Sequence, residues 1–105
     1  MKSMYNDKVL SAIGLAKRAN KIVCGFDGIS ARSRRGEISL LVIASDCSVR
    51  TQKDYTDKCA FYNIEHIIYG TKSELGFCAG KDEVAAVGIC DGGFAGLVTR
   101  NIRGG

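Results

Sequence analysis

Ile38-Ser39-Leu40-Leu41-Val42-Ile43-Ala44 is almost continuously apolar and rich in branched side chains. Such a run marks a central β-strand covered on both faces. A strand buried that way needs helices above and below it. The flanking sequence supplies them.

Toward the N-terminus, Arg32-Ser33-Arg34-Arg35-Gly36 ends a helix over 27–35, with cations at its C-terminus and a glycine just past it. Asp27 is placed to cap that helix, and Gly25 to turn the chain into it. Ile22-Val23-Cys24 makes a very short strand. Before it, Val9, Ile13 and Ala16 recur at helical spacing with Leu10 beside them, which predicts a first helix over 6–20.

Toward the C-terminus, Ser45-Asp46-Cys47-Ser48 leaves the central strand as a polar loop. A helix follows over 49–62, with Tyr55, Cys59 and Tyr62 at spacings of four and three. A third strand over 64–69 ends at Gly70. Thr71-Lys72-Ser73-Glu74 has a capping-box pattern and starts a short helix over 72–79. After a loop over 80–83 comes a fourth strand, 84–90. Asp91-Gly92-Gly93 then turns into a last helix with Phe94, Leu97 and Val98 inward, and the tail from Arg100 to Gly105 is expected to fray. Strands and helices alternate throughout, which gives a three-layer α/β/α sandwich around a four-stranded mixed sheet, one domain over 1–105.

Among 105 residues, 15 are Lys or Arg and 11 are Asp or Glu, for a net charge of +4. That surplus matters only where it clusters. It does so at Lys17, Arg18 and Lys21, where the first helix stops ahead of Gly25. A helix N-terminus with free N–H groups beside such cations is a setting for anions, and a phosphate backbone is the expected partner. The five cysteines have no CxxC spacing and mostly apolar or small neighbours. They read as small buried hydrophobes in a reducing cytosol, not as disulfides or zinc ligands. Met1 to Tyr5 has no apolar run and no segment approaches a membrane span, so a cytoplasmic protein without membrane attachment is expected. There is no Walker loop and no GxGxxG motif. The lone His66 has no nucleophile near it in sequence, so no catalytic group and no cofactor are expected.

With these elements placed, the chain resembles the ribosomal protein L7Ae superfamily, in its small bacterial YlxQ-like branch. The resemblance is carried by Leu15-Ala16-Lys17-Arg18-Ala19, Val23-Cys24-Gly25, Leu41 to Ser48, Thr56-Asp57-Lys58-Cys59, Glu74-Leu75-Gly76 and Gly92-Gly93-Phe94-Ala95. It covers residues 8–98, and the set is specific where no single motif is. It implies a non-catalytic RNA-binding protein acting at structured RNA, with kink-turns and ribosomal RNA as candidates. Bent, unstacked RNA exposes base edges that a straight A-form groove hides.

The kink-turn binders open their second helix with Gly-Thr-Asn-Glu and a following Lys, and pack a later loop on a splayed base. Here the matching positions are Gly25-Phe26-Asp27-Gly28, with Ala31 where the Lys would stand and Arg32 one place later. Ionised Asp27 can only accept hydrogen bonds, where Asn also donates. The later loop is Lys81-Asp82-Glu83-Val84. The expected RNA-contacting set is therefore Lys17, Arg18, Lys21, Gly25, Phe26, Asp27, Arg32, Ser45, Asp46, Lys81 and Val84, on a monomer that could also meet a ribosomal or translation-factor protein. The altered helix opening motivates an alternative: a protein-interaction module that kept the fold and lost kink-turn binding. A redox role for an exposed cysteine is a third reading.

Overall fold

The computed structural model describes residues 7–104. The predicted start of the first helix at residue 6, the Met1–Tyr5 segment and Gly105 lie outside the described residues. Nine elements follow in strict alternation: α1 (Lys8–Arg18), β1 (Ile22–Cys24), α2 (Phe26–Arg34), β2 (Leu40–Ile43), α3 (Val49–Tyr62), β3 (His66–Ile68), α4 (Lys72–Ala79), β4 (Ala86–Ile89) and α5 (Gly92–Gly104).

Leu40–Ile43 is buried along its whole length, as its composition predicts. The strand order is β1-β4-β2-β3, so β4 and not β2 adjoins the short β1. β2 and β3 run parallel, and β4 runs antiparallel to both of its neighbours. The sheet is mixed. The alternation of side chains across a strand splits β2 between two cores. Leu40 and Val42 join α1, α4 and α5 around Leu10, Ile13, Leu75 and Val98. Leu41 and Ile43 join α2 and α3 around Ile29, Tyr55 and Cys59. Helices thus cover both faces in three layers.

Local chemistry sets most element ends. Asp7 caps α1, its carboxylate accepting from the Leu10 N–H at 2.9 Å and from the Tyr69 hydroxyl at 2.8 Å. Ser48 caps α3, accepting from the Thr51 N–H. Thr71 and Glu74 form the predicted capping box at α4. Asp91 accepts from the Phe94 N–H at the start of α5.

Three expectations are corrected. Asp27 does not cap α2: Gly25 occupies the N-cap, no side chain caps the helix, and Asp27 lies in its first turn. The chain reaches helical geometry one residue early because Gly25 adopts φ +86°, which turns the backbone without help from a side chain. The tail beyond Arg100 does not fray at once, since α5 runs on to Gly104, helped by Asn101 donating to the Leu97 carbonyl. The apolar runs also overestimate the strands, because residues just beyond a ladder are buried without pairing along it. Ile38 is such a residue, while Ala44, buried past the other end of β2, still donates its N–H to the Ala85 carbonyl.

A candidate RNA interface at the start of α2

β1, β2 and β3 all point the same way, so their C-terminal ends share one edge of the fold. Gly25, the Ser45–Ser48 loop and Gly70 gather there, and so does the chain entering β4. This is where open α/β sheets present ligand sites.

Gly25 opens the site. Its φ of +86° with ψ of 142° is a backbone that L side chains rarely adopt. Its carbonyl holds the Ile29 N–H at 2.9 Å, the first closed turn of α2. The N–H groups of Phe26, Asp27 and Gly28 precede that bond and have no intrahelical acceptor. Gly28 has a different reason to lack a side chain. A Cβ there would come within 2.9 Å of Val23 Cγ2, a stiff branched group on β1. A side chain at this place would therefore require α2 or Val23 to shift.

Phe26 is 48% exposed. Its ring packs at 5.5 Å and 58° against Tyr55, and Lys58 Nζ lies 4.6 Å from its centroid. Lys58 also lies 5.9 Å from the Tyr62 ring. Tyr55, Lys58 and Tyr62 did not enter the expected set. Their spacing of three and four on one face of α3 is the signal that could have found them.

Beside Gly25 opens a cleft lined by Cys24, Gly25, Tyr55, Lys81, Glu83, Val84 and Ala85. Burial pushes the Cys24 thiol up, against the lowering effect of Lys81. Burial likewise raises the Tyr55 phenol, with smaller contributions from Cys24 and Cys47. The 81–84 segment is held by its backbone: the Lys81 N–H donates to the Gly76 carbonyl and the Val84 N–H to the Lys72 carbonyl. Its seat is Gly76, where a Cβ would meet the Asp82 carbonyl oxygen at 2.5 Å and Glu83 Cα at 2.8 Å.

Lys17 reaches the residue that precedes the 81–84 segment. Its Cε lies 3.3 Å from where a Cβ on Gly80 would be, one residue before Lys81. Ser45 and Asp46 are exposed but carry local bonds. Ser45 donates to the Gly70 carbonyl at 2.8 Å, and the Asp46 carboxylate accepts from the Lys72 N–H at the start of α4.

The basic knot does not stay together. Lys21 precedes β1 and Gly25 follows it, so about 13 Å of extended chain separates them. The Lys21 carbonyl accepts from the Cys90 N–H, and Arg32 Nη1 lies 3.5 Å from Cys90 Sγ. Lys21 and Arg32 thus sit together at the C-terminal end of α2, away from Gly25. Arg18 is exposed at the end of α1. The sequence places Lys21 close to Gly25 along the chain, but a strand in between carries them to opposite edges.

Three further thiols are raised by burial. Burial is the largest influence on Cys59 and Cys78, raising both to about 11, and on Cys90, raised despite Arg32 and Lys21. Thiols raised this way are poor nucleophiles near neutral pH. No group of three or more His, Cys, Asp or Glu that could hold a metal occurs among the described residues. Nor is any helix there long and apolar enough to cross a membrane.

Residues 7–98 match the family described as ribosomal protein L7Ae/L30e/S12e/Gadd45. The RNA-binding protein YlxQ of Bacillus subtilis (strain 168) is 35% identical over 83 residues, 79% of this chain and 83% of its own. The RNA-binding protein YlxQ of Enterococcus faecium is 31% identical over 97 residues, 92% of this chain and 93% of its own. A structure of a protein of unknown function from Bacillus halodurans C superposes with a TM-score of 0.87 at 32% identity, covering 93% of this chain and 99% of that one. The Giardia lamblia 15.5kD RNA binding protein superposes at 0.77 over 99% and 89% of the two chains. At 15% identity, that likeness bears on the fold alone.

Proposed function

The chain belongs to the ribosomal protein L7Ae/L30e/S12e/Gadd45 family, and we propose that it is a non-catalytic protein that binds structured RNA at the edge where α2 begins. One observation carries this reading. The uncapped helix start at Gly25, Lys81 and Tyr55 meet around a single cleft, with the exposed Phe26 ring packed on Tyr55 and Lys17 beside Gly80, the residue before Lys81. Each element suits a different part of RNA. The N–H groups of Phe26 to Gly28 favour a phosphate or a base acceptor. Phe26, braced by Tyr55 and Lys58, offers a stacking face for an unpaired base. Lys17 and Lys81 offer charge to the backbone.

Asp27 refines the choice of RNA. Its carboxylate repels phosphate and accepts hydrogen bonds only, so it favours base edges that carry donors. Such edges are accessible in bent or unpaired elements and not along a straight A-form helix. A kink-turn, in ribosomal RNA or another structured RNA, is the proposed target. Val84 lines the cleft and packs beneath the bound element, and Ser45 and Asp46 shape the neighbouring wall. The protein acts in this reading as a cytoplasmic monomer, and a ribosomal or translation-factor protein is a candidate second partner.

Gly28 favours the rival reading, a protein-interaction module on the same fold, because it offers no side chain to RNA and one added there would press on Val23. Titration against a kink-turn RNA and a straight duplex of matched length, at two salt concentrations, separates the two. RNA recognition at this edge predicts tighter binding to the kink-turn at both salts. Equal or absent binding would overturn it in favour of the protein partner.

A further inference from the structure

The C-terminal end of α2 carries a second cluster of charge that the α2 start does not explain. Arg32, Arg34 and Arg35 close the helix, and Lys21 joins them through Cys90, whose thiol feels both Arg32 and Lys21. Glu37 lies 3.5 Å from Arg32 and 3.9 Å from Arg35. Asp91, one residue beyond Cys90, is occupied in capping α5.

A helix C-terminus favours cations, but its effect is equivalent to about half a charge and fades within the last turn. Four cations against Glu37 exceed that need. Three of the four are arginines, whose planar fork matches phosphate oxygens in pairs. The exposed Arg–Glu pairs stabilise the fold little, yet they keep two guanidinium groups gathered beside the exposed Arg34.

We propose that this end of α2 is a second phosphate grip, which holds an RNA helix flanking the element bound at the α2 start. The inference rests on the RNA-binding reading above. The nine residues of α2 span about 13 Å at 1.5 Å per residue. The helix thus sets a fixed distance between the site that reads the RNA and the cluster that holds its backbone. A bent RNA brings a flanking backbone back toward the bend, within reach of both ends of a short helix. RNA is favoured over an acidic protein because the cluster lies on the same helix as the candidate RNA site.

The test is the salt dependence of binding by wild type and by Arg34→Gln with Arg35→Gln. Both side chains are exposed and Gln keeps most of their length, so the fold is retained. Each lost phosphate contact should lower the slope of log affinity against log salt by about one. On RNA with long flanking helices the double variant should lose about two. On RNA trimmed close to the bend it should match wild type. A wild-type slope for the variant on long RNA overturns the second grip and leaves these arginines to solvent or to an acidic protein. The comparison also works when wild type binds kinked and straight RNA equally. In that case a slope loss of two still supports the grip, while kink recognition fails. A wild type that binds neither RNA overturns both.

Discussion

The two ends of α2 are built in different ways. At its start, backbone geometry does the arranging: a glycine at φ +86°, N–H groups without a cap, and a ring braced from α3. At its finish, Arg32 and Lys21 meet at Cys90, Arg32 and Arg35 flank Glu37, and Arg34 is exposed on the same turn, with little that fixes their shape. The first end can discriminate the form of a ligand, because its groups hold fixed positions. The second can add affinity, because charge acts over distance and tolerates many geometries. One short helix thus separates selectivity from grip.

The most disruptive way to break the first end leaves the second intact. Gly76→Ala places a methyl 2.5 Å from the Asp82 carbonyl oxygen, and backbone cannot yield as a side-chain tip would. The variant should lose about 2–3 kcal/mol in urea unfolding and release the 81–84 segment, with weaker RNA binding.

Next in size is a control that touches neither end. Tyr69 bonds the Asp7 cap of α1 across the fold. Tyr69→Phe should cost about 1.5 kcal/mol and leave the preference for kinked RNA unchanged. Burial first, then the bond to Asp7, pushes the Tyr69 pKa up to about 12. A pKa raised on folding stabilises the protonated native state. This contribution is whole below the ordinary tyrosine value of about 10 and is lost as pH rises through 12. Wild type should therefore weaken over that window more steeply than Tyr69→Phe in alkaline unfolding.

Gly25→Ala is subtler in stability, at about 1 kcal/mol from a strained positive φ. It should nevertheless cut the preference for a kink-turn over a duplex severalfold, because the helix start is re-aimed. The smallest effect is expected from Lys58→Ala. Removing an exposed cation–π contact should cost about 0.5 kcal/mol. The Phe26 ring is then less firmly braced, and binding should fall modestly on RNA with an unpaired base and not on a plain duplex.

Local signals carried much of this into the sequence. The buried strand within the apolar run at 38–44, the Thr71–Glu74 capping box and the limits of α3 depend on neighbours a few residues away; the box and the helix limits are found as expected, and the strand is shorter than its run. The sequence puts the start of α2 one residue late because a carboxylate looks like a cap there, while a glycine's φ is invisible. The grouping of the basic residues depends on tertiary geometry. Lys17 meets Gly80 across 63 positions, and Lys21 is carried from Gly25 by a three-residue strand. The place of β4 between β1 and β2 is set by pairing, which no single segment encodes. A phenylalanine is more often core than surface, and only its exposure and its meeting with Tyr55 and Lys58 set Phe26 apart.

The measurement that bears most directly on the division of labour within α2 compares two variants on the same pair of RNAs. Gly25→Ala and the Arg34→Gln, Arg35→Gln double variant are titrated against a kink-turn with long arms and a matched duplex, across a salt series. Shape reading at one end and charge at the other predicts that Gly25→Ala loses the kink-turn preference and keeps its salt slope. The arginine variant should keep the preference and lose about two from the slope. If both variants shift the same quantity, or if either shifts the one assigned to the other, the division between the two ends is wrong.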